Sequence, residues 1–266
     1  MRATSAQHGI AARAILPSFA ATLAIVAAVA ACTSSSPKIT AESRSKAAQT
    51  NAQLGMTYLH QGNLAAARDR IDKAIEQDPR TSETQMAAGF LYDRLGDDQK
   101  AQSHYDQAVR LADGDPEVLN NAAVFYCRKG DKKRGEKLFL EAAGNAMYRT
   151  PAAAYTNAGR CARADGRPTD AESYFRKALA YQPDQPDALL QMADLNHDGG
   201  NDFQARAFLQ RYMAIGPVNP QALWLGYRIE RKLGDSTQSQ EYARRLRTEF
   251  ATSAETRELL EAEQGG

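Results

Sequence analysis

Small and apolar residues recur with a period of about 34 residues along most of the chain. Glycines mark this period at Gly62, Gly96, Gly130, Gly166, Gly200 and Gly234. Five residues after each glycine stands a small residue, and four residues further on stands a mostly large apolar one, as in Ala171 and Phe175. This pattern predicts two amphipathic helices joined by a tight turn, because glycine accepts a positive φ and a small side chain allows close helix approach.

A helix–turn–helix unit of this length and pattern resembles the tetratricopeptide repeat. With the turn glycine at position 15, six repeats span residues 48–81, 82–115, 116–149, 152–185, 186–219 and 220–253. Thr252 and Glu255 have the spacing of a capping box, which predicts a capping helix and tail in residues 254–266. The resemblance implies an all-α fold, a right-handed superhelical solenoid of six repeats plus a C-terminal capping helix.

The N-terminal segment is predicted to be a targeting signal rather than part of the fold. An uncharged stretch of small and aliphatic residues ends at Ala30-Ala31-Cys32, and polar residues follow. This resembles the lipobox of bacterial lipoproteins and predicts a signal peptide at 1–31, a lipidated Cys32 and a flexible tether to residue 47. An ordinary cleaved signal or one membrane helix are the alternatives, although a span needs about 20 residues. Thr33, which stands where inner-membrane retention would favour Asp, implies outer-membrane sorting.

The charges and polar motifs argue against nucleic-acid binding and catalysis. The chain has 33 basic and 32 acidic residues, so it lacks the basic excess of a nucleic-acid binder. Its four histidines are far apart and have no Cys or His partner at metal-ligand spacing. It contains neither a glycine-rich phosphate loop nor a nucleophile elbow. We therefore expect a protein-binding module with no enzymatic activity, no cofactor beyond the lipid on Cys32, no metal and no small-molecule substrate.

Two groups of side chains are candidates for contact with a protein partner. In the tetratricopeptide family the first helix of each repeat lines the concave face. Asn121 and Asn157 occupy position 6 there, where an amide can bind an extended backbone, and Arg128 and Arg160 lie on or near this surface. A contact between helices is the alternative role of the two asparagines.

The second group lies at concave positions of repeat one and forms a largely apolar patch closest to the tether: Gln49, Ala52, Met56, Leu59 and His60. The alternative is that Met56 and Leu59 simply pack against repeat two.

Cys127 and Cys161 lie 34 residues apart, late in the first helices of adjacent repeats. First helices of neighbouring repeats lie side by side, and an exported protein passes through an oxidising compartment, so a disulfide is one interpretation. Two buried thiols are the other. The cysteines occupy positions 12 and 10, an offset that could separate their Cα atoms by more than the ~7 Å a disulfide allows.

Three segments resemble the type IV pilus biogenesis/stability lipoproteins, also called pilotins of the pilus secretin. They are Asn120-Asn121 with Phe125 and Cys127, then Asn157-Ala158-Gly159-Arg160-Cys161, then Leu223-Trp224-Leu225. The resemblance implies a lipoprotein anchored at the periplasmic face of the outer membrane that binds secretin subunits and assists their assembly. Both cysteine positions match this family, which implies the disulfide.

The alternative function is a general envelope scaffold lipoprotein for β-barrel assembly or peptidoglycan-enzyme recruitment. The repeat alone does not separate the two, because it sets the shape and not the partner. An enzyme with a helical accessory domain is the third possibility, but no residues remain for a catalytic domain.

Overall fold

The computed structural model describes residues 40–264, which contain thirteen α-helices and no strand. The predicted signal peptide, Cys32 and most of the tether lie outside these residues. The solenoid belongs to a unit that begins at Ser45. The helices are α1 Ala41–His60, α2 Leu64–Gln77, α3 Ser82–Arg94, α4 Asp98–Leu111, α5 Pro116–Lys129, α6 Lys132–Gly144, α7 Pro151–Ala164, α8 Pro168–Tyr181, α9 Pro186–Asp198, α10 Asp202–Ile215, α11 Pro220–Leu233, α12 Ser236–Glu249 and α13 Ala254–Gln264.

The predicted turn chemistry separates the two helices of every repeat. All six turn glycines have a positive φ, between 72° and 98°, which a residue with a Cβ adopts only with strain. In four repeats the next residue caps the second helix: the side chains of Asn63, Asp97, Asp131 and Asp235 accept hydrogen bonds from backbone N–H groups of the first turn. These short-range signals explain why the helix pairs recur with the period of the sequence.

Close contact between the paired helices requires the small residues of the pattern. Ala171 and its equivalents in the other repeats are buried at this contact, and Phe175 is completely buried one turn later. A Cβ on Gly159 of α7 would lie 2.4 Å from Cε1 of Phe175, and one on Gly135 of α6 would lie 2.9 Å from the Ala123 carbonyl oxygen. Small residues on both helices therefore allow the close approach, and large side chains such as Phe175 fill the space beside them.

The capping helix α13 packs on α11 and α12, where Leu259 is buried in a cluster with Leu223 and Leu246. The predicted Thr252–Glu255 capping box is wrong, because the helix begins at Ala254 and Ser253 is the residue whose hydroxyl accepts from the Thr256 N–H. The all-α tetratricopeptide solenoid is confirmed. Within residues 40–264, no helix is long and apolar enough to cross a membrane.

Candidate functional site

The first helices of successive repeats from α3 to α11 contact one another and form one continuous face. On this face the residue six places before each turn glycine stays accessible to solvent in all six repeats. The residue immediately before it is buried in every repeat, because it faces the second helix. We call the accessible set the inner row, and it consists of Met56, Phe90, Val124, Arg160, Asp194 and Arg228.

The inner row is apolar in the first three repeats. Met56 and Phe90 are half-buried and pack at the edge of the core, and Val124 is 44% exposed. Phe90 meets Tyr105 edge to face, with 5.7 Å between the ring centroids. Covering these apolar side chains with another apolar surface would lower the free energy, because it removes them from water.

The inner row is charged in the last three repeats. Asp194 lies between two arginines, with 2.7 Å from its Oδ2 to Nη1 of Arg163 and 3.4 Å from its Oδ1 to Nη2 of Arg228. Burial lowers the pKa of Arg163, but its hydrogen bonds and the charges of Asp194 and Asp198 outweigh this and raise it above its ordinary value. Arg163 is therefore committed to these two carboxylates.

A groove of about 450 Å³ lies beside this charged half, between α7, α9, α11 and α13. Trp224 lines it and stacks on Tyr227, with 5.3 Å between the ring centroids. The groove combines apolar surface, two amide side chains and charges of both signs.

A disulfide joins the two halves of the face. Cys127 of α5 is bonded to Cys161 of α7, and their Cα atoms lie 5.7 Å apart. The offset between positions 12 and 10 is therefore accommodated by the way the two helices pack. The bond lies where the inner row changes from Val124 to Arg160.

The two candidate asparagines have different surroundings, although both are half-buried. The Asn157 amide donates to Oδ1 of Asn120 at 3.2 Å, which is the contact between helices named as its alternative role. The Asn121 side chain makes no hydrogen bond to any residue from 40 to 264. Only Asn121 therefore has an amide fully available to a partner.

The two candidate arginines also differ. Arg128 is exposed and forms an ion pair with Asp93, whose side chain is only 9% exposed. Arg160 is exposed and belongs to the inner row and to the groove. Arg128 therefore contributes to packing between repeats two and three, whereas Arg160 is free for a ligand.

The predicted apolar patch of repeat one is wrong as a surface. Ala52 and Leu59 are 2% and 4% exposed and pack in a cluster with Ala87 and Leu91 of repeat two. They are two helical turns apart and share one side of α1, whereas Met56 points about 40–60° away from them and stays half-buried. Gln49 and His60 are exposed but polar. Met56 is therefore the one apolar residue of the predicted patch that is accessible to solvent.

Sequence reasoning missed Phe90, Val124, Trp224 and Arg228 as candidates. The signal that could have found the inner row was available, since Met56, Phe90, Val124 and Arg228 share the ninth position of their repeats. Trp224 carried no comparable signal, because its role depends on how α13 closes the groove.

The class of protein to which the chain belongs is shown by matches to known repeat families. Three tetratricopeptide-repeat models match residues 46–113, 126–180 and 162–225. Together with thirteen helices in the described residues, these matches show that the chain belongs to the tetratricopeptide-repeat proteins.

Within this class, the chain is similar to proteins of type IV pilus assembly. It is 26% identical over 223 residues to the type IV pilus assembly protein PilF of Pseudomonas aeruginosa, covering 84% of this chain and 88% of that protein. The crystal structure of PilW, a widely conserved type IV pilus biogenesis factor, matches with 27% identity and a TM-score of 0.72, over 80% of this chain and 98% of that one. A structure of Pseudomonas aeruginosa PilF matches with 26% identity and the same TM-score, over 82% and 99%.

Proposed function

We propose that this protein is an outer-membrane lipoprotein that acts as a pilotin, assisting assembly of the type IV pilus secretin by binding its subunits. The single observation that carries the proposal is the accessible apolar half of the inner row, on a chain whose similar proteins act in type IV pilus assembly. We expect this half of the row to act as a protein-binding surface.

The apolar half of the inner row is suited to a helix or extended strand of a secretin subunit. Val124 is the best exposed of its three residues, and the free amide of Asn121 lies one turn earlier on the same helix. Apolar contact would supply the binding free energy, and the amide would pair with a backbone group of the partner. The surface thus combines affinity with tolerance of the partner's sequence.

The lipid on Cys32 would hold this surface at the inner leaflet of the outer membrane. A single acyl chain binds membranes only weakly, so the proposal requires the multiply acylated cysteine that bacterial lipoproteins carry. Mass spectrometry of the mature N-terminus tests this step. Unmodified Cys32, or an intact peptide spanning Ala31 and Cys32, would contradict it.

The main experiment removes the gene and follows the secretin on gels of unheated samples. We expect the heat-stable secretin multimer to disappear and to return with the wild-type protein. Val124→Glu should fail to restore it, because the charge would have to be buried in the interface. Leu111→Glu is the matched control, since Leu111 is 40% exposed but lies on a second helix.

If the multimer persists without the protein, the pilotin function is wrong. If Val124→Glu folds and restores the multimer as well as Leu111→Glu does, the secretin binds elsewhere. Leu59→Glu is unsuitable for this test, because Leu59 is buried and the change would unfold repeat one.

A further inference from the structure

The groove between α7, α9, α11 and α13 contains charged side chains for which the fold supplies no partner. The four helices contact one another in the order α7, α9, α11, α13, so Arg160 of α7 lines one end of the groove and Glu255 and Glu258 of α13 line the other. None of their three side chains forms an ion pair or hydrogen bond with any residue between 40 and 264. Arg163, one turn further along α7, is by contrast paired with both Asp194 and Asp198. The unpaired charges therefore distinguish this groove from the packed ion pairs around it.

The middle of the groove suits an uncharged stretch of polypeptide. Leu190 and Trp224 provide apolar surface, and the exposed amide of Gln221 can both donate to and accept from a peptide backbone. The Arg228 guanidinium lies over the Trp224 ring, 5.8 Å from its centroid, and its Nε is buried without an acceptor. The accessible part of this guanidinium adds positive charge beside the apolar surface of Trp224.

We propose that this groove is a second protein-binding site and that it takes an extended peptide segment with two opposite charges. An acidic side chain of the segment binds Arg160, and a basic side chain binds Glu255 and Glu258. An apolar side chain between them contacts Leu190 and Trp224.

This charge pattern follows from the cost of covering the groove. A neutral ligand would displace the water molecules that solvate three unpaired charges and would offer no charged partner in their place. A ligand with complementary charges would replace the lost hydrogen bonds with ion pairs. The site lies in repeats four to six and the capping helix, so it is separate from the apolar half of the inner row. It goes beyond the function proposed above and does not depend on it.

Trp224 makes the site directly testable, because it is the only tryptophan of the chain. The probe is a peptide blocked at both ends, Ser-Gly-Glu-Leu-Ser-Lys-Gly-Ser, which lacks aromatic residues. It is titrated into the complete mature protein while the fluorescence of Trp224 is recorded. Versions with Gln in place of Glu, of Lys or of both provide the comparison. We expect a saturable change, with affinity falling about tenfold for each charge removed, as for a hydrogen bond to a charged group.

Protein variants then assign each charge to its partner. Arg160→Ala should lose the preference for Glu over Gln in the peptide and keep the preference for Lys. The double change Glu255→Gln and Glu258→Gln should do the reverse. Arg176→Ala is the matched control, because Arg176 is exposed on α8 and is paired with Glu172. This control should bind all four peptides as the wild type does.

Three results would overturn the proposal. They are no fluorescence response to any peptide, an equal response to all four, and an unchanged preference for Glu in Arg160→Ala. A peptide whose only carboxylate is its free C-terminus distinguishes a chain end from a side chain. Tighter binding of that peptide would overturn the assignment of an internal segment. Because secretin multimers are not measured, failure here leaves the pilotin function untouched.

Discussion

The first three and the last three repeats share one scaffold and differ in what they present on the inner face. In both halves the turn glycine, the small residue of the second helix and the buried residues of the first helix keep the same places. At the ninth position, which stays accessible in every repeat, the first half carries Met56, Phe90 and Val124, and the second carries Arg160, Asp194 and Arg228.

This difference shows where a repeat protein has freedom to vary. Positions between paired helices tolerate little change, because a Cβ at Gly159 would collide with Phe175. The inner row is free of that constraint, so it can be apolar in one half and charged in the other without loss of the fold. We infer two surfaces with different partners, on one solenoid.

The largest effect should come from exchanging apolar and charged residues at Val124 and Arg160, where the two halves of the inner row meet. Val124→Arg gives the first half a charge, and Arg160→Val removes one from the second. We expect Val124→Arg to abolish most of the heat-stable secretin multimer and Arg160→Val to leave it at the wild-type level. The measurement is the ratio of multimer to monomer in unheated samples, with folding of both variants checked by circular dichroism. The opposite result would move the secretin site to the charged half.

Removing the disulfide should weaken the connection between the two halves. Cys127 and Cys161 are separated by 34 residues, so replacing both with alanine should lower the free energy of unfolding by about 3–4 kcal/mol through the entropy of the unfolded chain. Urea unfolding with and without reductant measures this effect. The double variant is its own control, since reductant should not alter it further. A loss below about 1 kcal/mol would show that the bond adds little to the packing of α5 against α7.

The two asparagines on either side of the junction should separate binding from stability. Asn157→Ala removes the hydrogen bond to Asn120 and should lower the free energy of unfolding by about 1 kcal/mol. Asn121→Ala removes no internal hydrogen bond and should change it by less than about 0.5 kcal/mol. Thermal or urea unfolding of both variants gives the comparison. If Asn121→Ala proves the more destabilising, its amide is not available to a partner as described.

The smallest effect should be an acid sensitivity that belongs to the first half. His104 stacks on Tyr92, and its Nδ1 lies 2.7 Å from Oε1 of Gln85. Burial, and then the positive charge of Lys100, lower the pKa of His104 below its ordinary value. Well above the ordinary histidine pKa of about 6.5, both the folded and the unfolded state hold a neutral ring. As the pH falls below that, the unfolded state binds a proton more readily, so the free energy of unfolding decreases.

His104→Gln should reduce this acid-dependent loss, measured as the difference in urea midpoint between pH 7.5 and pH 5. An identical pH dependence of the wild type and His104→Gln would assign the effect to other groups.

The local structure of this protein could be predicted from sequence because it depends on short-range chemistry. The turn glycines, the residues that cap the second helices and the helical spacing of apolar residues act within a few positions of one another. They determined the number of repeats in residues 48–253 and the all-α solenoid class. The N-terminal cap of α13 was misplaced by one residue, because Thr252 and Ser253 are both chemically able to cap and only the packing of Thr256 selects Ser253.

The accessible surface was decided by tertiary structure, because it depends on how each helix is rotated against the next repeat. Leu59 and Met56 have similar hydrophobicity and lie three residues apart, yet one is buried against repeat two and the other borders the inner face. The same rotation brings the Cα atoms of Cys127 and Cys161 to 5.7 Å despite their offset. It also lets α13 close the groove beside Trp224, where residues from four separate helices meet. Contacts between residues far apart in the chain leave no periodic signal, so only the packed solenoid defines both surfaces.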